Sequence, residues 1–171
     1  NKHIRKRSYN MLAERFNLFE YRGNWKYPDP LIIQPNMLSN KDGDNINGPS
    51  LIKVPNLVEN TLGKYYLYCS HHDGKYIRMA YSNNVEGPYT VHLEGTLKLE
   101  DTPGKNHIAS PDVHIDNDKQ EIVMYYHTPY DDWQYTFKST SKDGLNFKSE
   151  NDNLGLFYFR VFKWNNRIFS I

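Results

Sequence analysis

From Gly48 onward the chain alternates between short aromatic or β-branched runs and clusters of Gly, Asn, Asp and Pro. Runs of this length with period-two alternation predict strands, and the clusters between them predict turns. Four runs form a first unit: Gly48 to Val54, Lys64 to Cys69, Tyr76 to Ser82, and a closing stretch from Gly87 to Val91. The same series returns as Ser110 to Ile115, Glu121 to Tyr126, Gln134 to Ser139, and Gly144 to Lys148. A third unit opens at Phe157 to Phe162, turns at Asn165-Asn166 and continues through Arg167 to Ile171.

An antiparallel meander or sandwich would alternate in the same way, but recurrence of four strands in the same order predicts propeller blades. The expected organisation is an irregular segment over residues 1–45, a blade over 46–100, a second over 101–153, and the start of a third over 154–171. Within the first segment the pattern suggests a short helix around Ser8 to Phe19 and an edge strand at Leu31 to Ile33. Two blades and a piece cannot close a ring, and the chain stops inside an apolar run, so it is expected to be part of a longer protein.

Composition sharpens this picture. Aromatics are 15% of the chain, with 14 Tyr and 8 Phe, which favours half-buried strands over helices. The net charge of +1 gives no field for nucleic acid or anionic membrane, and the basic run Lys2 to Arg7 reads as a solvated end. No apolar run approaches the roughly 20 residues that span a bilayer. A single cysteine, Cys69, excludes an internal disulfide and reads as core. Localisation stays open, with secretion or a periplasmic location expected only if a leader precedes Asn1.

Three groups of residues carry a family resemblance: Gly48-Pro49-Ser50-Leu51 with Lys64-Tyr65-Tyr66-Leu67-Tyr68; Ala80-Tyr81-Ser82 with Glu86-Gly87-Pro88-Tyr89; and Ser141-Lys142-Asp143-Gly144-Leu145-Asn146-Phe147. Together they resemble the five-bladed β-propeller superfamily of glycoside hydrolase families 43, 32 and 117, over roughly residues 47–171. The resemblance implies an all-β, five-bladed propeller fold, of which about two and a half blades lie in this chain. It also implies hydrolysis of glycosidic bonds by acidic groups that project into the central funnel. That chemistry needs one group to protonate the leaving oxygen and another to activate water or attack the sugar.

The chain departs from the family at those positions. The family usually shows Asp before the Pro of the first blade; here the sequence is Asn47-Gly48-Pro49. In the second blade Ser110 precedes Pro111 and the carboxylate follows as Asp112. The acid Glu of the third blade has no counterpart near Tyr158 and Arg160. Family 117 is described as using a His where the others use a carboxylic acid, and His71, His72, His107, His114 and His127 lie near the strands concerned.

Asp112 and His107 are accordingly the candidate catalytic residues, the first as the carboxylate that starts an innermost strand and the second as an acid/base near the funnel mouth. Asn47, His72, His127 and Arg160 are the candidate sugar-binding residues. His114, two residues beyond Asp112, shares its face of the strand. No cofactor is expected. Asp42-Gly43-Asp44-Asn45 lacks the glycine and glutamate of a calcium loop, and the histidines do not fall at a zinc spacing, so a structural or funnel cation such as calcium has no motif behind it. The expected partner is a plant or algal oligo- or polysaccharide, with no nucleic acid and no membrane; the sequence does not set the oligomeric state. Hydrolysis is the leading expectation, and a non-catalytic carbohydrate-binding propeller is the alternative, favoured by Asn47 and Ser110.

Overall fold

The structure, a computed structural model, describes residues 32–171. Four strands make the first sheet: β1 (Asn47–Lys53), β2 (Tyr65–Ser70), β3 (Tyr76–Ser82) and β4 (Thr90–Lys98), paired antiparallel in that order. The second sheet repeats the order with β5 (Ala109–Asp116), β6 (Glu121–Tyr130), β7 (Trp133–Ser141) and β8 (Lys148–Ser149). An added strand, β9 (Gly155–Leu156), also pairs with β7. A separate hairpin joins β10 (Val161–Trp164) to β11 (Arg167–Ser170) through Asn165 and Asn166, both at positive φ, as a tight hairpin turn requires. This is an all-β, partial β-propeller with two whole blades. Among the described residues no helix is long and apolar enough to cross a membrane.

The blades stack through side chains that the alternation sends to one face. Tyr66, Tyr68, Ile77, Met79 and Leu97 of the first pack with Ile108, Val113, Ile122, Met124, Tyr126, Phe137 and Phe147 of the second in one core. Polar groups tie the same interface. The fully buried Tyr68 hydroxyl donates to the Gly144 carbonyl at 2.8 Å, and the Phe147 N–H donates to the Thr96 carbonyl at 3.0 Å.

The innermost strands β1 and β5 share an irregularity. Register slips between Asn47 and Ser50 in one and between Ala109 and Asp112 in the other, around Gly48 (φ 59°) and Ser110 (φ 52°). The bulges bring the strands close. A Cβ on Gly48 would lie 2.9 Å from the Ser110 Cα, so position 48 has no room for any side chain.

Several sequence expectations change. The helix expected at Ser8 to Phe19 lies outside the described residues; Ile32 and Ile33 form a bend instead of an edge strand. The third unit does not open as a strand at Phe157, because Gly155 and Leu156 first complete the edge of the second blade and the next strand begins only at Val161. Asp42, within a 3-10 turn (Asn40–Gly43), pairs with the buried Arg78 at 3.2 Å and accepts from the Tyr76 hydroxyl at 2.6 Å. Those contacts key the segment before β1 to the first blade.

Candidate functional site

Three imidazoles meet beside the starts of β1 and β5. His72 follows β2, His107 precedes β5 and His127 lies within β6 opposite Ala109. Their rings form a graded row from solvent inward. His72 is exposed and stacks on the half-buried His107 with centroids 6.3 Å apart; His107 meets the edge of His127, 4% exposed, at 5.7 Å. The pairing of β9 with Tyr135 and Thr136 on β7 delivers the next two residues, Phe157 and Tyr158, onto His127, at 5.6 and 5.5 Å. Both aromatics are exposed, and Arg160 lies over the Tyr158 ring at 5.3 Å.

These surroundings set the charge of the row. Burial, with the neighbouring His107, His72 and Arg160, pushes the His127 imidazole down to about 4, so it is neutral at pH 7. Its Nδ1 is buried without a hydrogen-bond partner among the described residues. His107 is also held below its ordinary value, by burial first, then by His72 and Lys75, against the opposing pull of Gln134 and Asp73. Arg160 donates through Nη1 to the carbonyls of Pro111 (3.3 Å), Ser110 and Phe159 (each 3.5 Å). Among the described residues it forms no salt bridge with a carboxylate.

Asp112 points elsewhere. Its Oδ2 accepts from His114 Nε2 at 2.8 Å and from the Val161 N–H at 2.7 Å. Burial raises the carboxyl, but the His114 hydrogen bond, the Val161 N–H and the Arg160 charge outweigh it and hold the group below its ordinary value. Asp112 thus anchors the β10–β11 hairpin to the second blade. Asn47 is engaged at both ends of its amide: Nδ2 donates to Asn45 Oδ1 at 2.7 Å and Oδ1 accepts from the Ser70 hydroxyl at 2.9 Å. The same hydroxyl accepts from the Ser110 N–H at 3.1 Å, bridging the blades. Asn45 Oδ1 also accepts from the His72 N–H at 3.0 Å, which fixes that histidine's backbone.

The fold brings His72, His107, His127 and Arg160 together and leaves Asp112 and Asn47 in structural hydrogen bonds beside them. By register Ser70 occupies the place in the first blade that His127 occupies in the second. Phe157 and Tyr158 were not among the candidates; the aromatic pair directly after Gly155-Leu156 was their signal. Among the described residues no group of three or more His, Cys, Asp or Glu is placed to hold a metal ion.

The two repeated four-stranded sheets resemble in fold the propellers of glycoside hydrolase family 43. A β-xylosidase/α-arabinofuranosidase of that family from a compost microbial metagenome, solved with xylotriose in a calcium-free form, superposes with a TM-score of 0.57 at 19% identity, over 71% of this chain and 40% of that one. An exo-β-1,3-galactanase from Clostridium thermocellum gives 0.51 at 16% identity, over 75% of this chain and 32% of that one. In sequence the chain is 35% identical to an uncharacterized protein of Acanthamoeba polyphaga mimivirus, over 78% of this chain. It spans 44% of that relative's length. No protein-family model matches the chain.

Proposed function

We propose that this chain is the carbohydrate-binding part of a glycoside hydrolase-like propeller, and that it seats an oligo- or polysaccharide of plant or algal type against His72, His107, His127, Phe157, Tyr158 and Arg160. The observation that carries the proposal is the exposed pair Phe157 and Tyr158 packed on the imidazole row. Aromatic faces bind the apolar faces of sugar rings, and adjacent imidazole and guanidinium donors bind hydroxyl oxygens. Binding without turnover is favoured by the blade interface: position 48, directly before Pro49, has no space for a carboxylate, and the neighbouring Asn47 amide is already committed.

Hydrolysis is the second reading, and the neutral His107 at the mouth of the cluster favours it. There His107 would take the proton from a water that attacks the anomeric carbon, the departing glycosidic oxygen would take a proton from solvent, and Asp112 would tune the site through Arg160. Binding and hydrolysis of a panel of plant and algal oligosaccharides, beside Asp112→Asn and His107→Ala, separate the two. Saccharide binding with no product supports the first reading. Turnover that both variants abolish replaces it with the second, and no binding to any saccharide overturns both.

A further inference from the structure

We propose that the saccharide taken at this site bears an acidic substituent, a uronate carboxylate or a sulfate ester, held by Arg160 together with the imidazoles of His127 and His107. The inference rests on the saccharide reading above and narrows it to a chemical class.

Three observations carry it. The first is the Arg160 guanidinium. Its hydrogen bonds among the described residues all leave from Nη1 and all go to main-chain carbonyls, at 3.3 to 3.5 Å. A guanidinium presents five donors in a planar fork suited to two anionic oxygens at once, so most of that capacity is unused. The second is the balance of charge. His127 faces His107, His72 and Arg160, and His107 faces His72, Lys75 and Gln134, with the exposed Asp73 as its one opposing carboxylate. Asp112, which also feels Arg160, spends its charge on His114 and the Val161 N–H. The third is that the nearby Asn47 and Asn45 amides, which could both give to and accept from neutral hydroxyls, are tied into the β1 network.

The imidazole row adds a proton acceptor. His127 is neutral because burial, with the neighbouring His107, His72 and Arg160, opposes a charge. An anion beside it reverses that balance, so binding draws a proton onto the ring and tightens as the pH falls.

The test is calorimetric titration of the purified chain with three oligosaccharides on one backbone, neutral, uronate-bearing and sulfated, between pH 5 and pH 8. The acidic sugars are expected to bind at least about tenfold more tightly than the neutral one at pH 6. Their affinity is expected to rise as the pH falls, by up to about tenfold per pH unit for each proton taken up. Whichever of the two acidic sugars binds tighter identifies the substituent. Arg160→Met should erase the preference, weakening the acidic sugars at least about tenfold more than the neutral one. Because Arg160 also braces Ser110 and Pro111, Arg160→Lys serves as the folded control and should keep part of the preference; His127→Gln should flatten the pH dependence and keep the preference. Equal or tighter binding of the neutral sugar overturns this inference alone, whereas failure of all three sugars to bind overturns the saccharide reading with it.

Discussion

His127 enters the folded state as a neutral base near pKa 4, well below the 6.5 of an ordinary histidine. Between those values the unfolded chain binds a proton that the native chain does not, so stability is unaffected above pH 6.5 and falls as pH drops through the window. The loss from this residue alone should reach about 2 kcal/mol at pH 5. Urea unfolding at pH 7 and pH 5 should show it, and His127→Gln should remove most of the difference. An unchanged slope in that variant would mean that the acid sensitivity arises elsewhere. Asp112 adds a second acid-sensitive contact, since its lowered carboxyl contributes stability at neutral pH that disappears only on protonation in stronger acid. Sequence spacing located His107, His127 and Arg160 as candidates because each interrupts or borders an apolar run. It could not tell that the Asp112 carboxyl turns to His114 and Val161, since that depends on a hairpin docking 49 residues further along.

At the scale of elements, the strands were legible where the alternation was clean. The run Tyr76 to Ser82 was anticipated to the residue, and the other central strands differ by a few positions at their ends. The misreading came at residues 155–160, where an apolar run is shared between the edge of one blade and the approach to the next. Pattern alone assigns such a run to one strand, whereas hydrogen bonding divides it: Leu154 and Phe157 donate to the β7 carbonyls of Thr136 and Gln134, and pairing resumes only at Arg160, whose main chain exchanges hydrogen bonds with Ile171. The β10–β11 hairpin is consequently held to the second blade by few polar contacts, Asp112 foremost. Asp112→Asn should destabilise the chain by about 1 to 2 kcal/mol, and hydrogen exchange at the Val161 amide should quicken while that of the β6 and β7 amides keeps its order. Equal quickening throughout would show that Asp112 supports the blade rather than the hairpin.

For the whole molecule, the decisive feature is how closely the two blades approach at their inner strands. Gly48 sits at positive φ with its missing Cβ aimed at Ser110, so Gly48→Ala combines backbone strain with a clash against main chain. A loss of about 2 kcal/mol or more is expected, read as a lowered urea midpoint; an unshifted midpoint would show that the strands can part at little cost. Removing the Tyr68 hydroxyl, by Tyr68→Phe, leaves the Gly144 carbonyl without its partner and should cost about 1 kcal/mol by the same measurement. The grip on Asn47 at this junction also bears on how the protein ages. An asparagine followed by glycine is prone to close its side chain onto the next backbone nitrogen, lose ammonia and reopen as aspartate. Here the amide must first leave Asn45 and Ser70. The contact that joins the blades therefore doubles as a chemical preservative, and any loosening of the junction starts a slow clock that writes a negative charge into its centre.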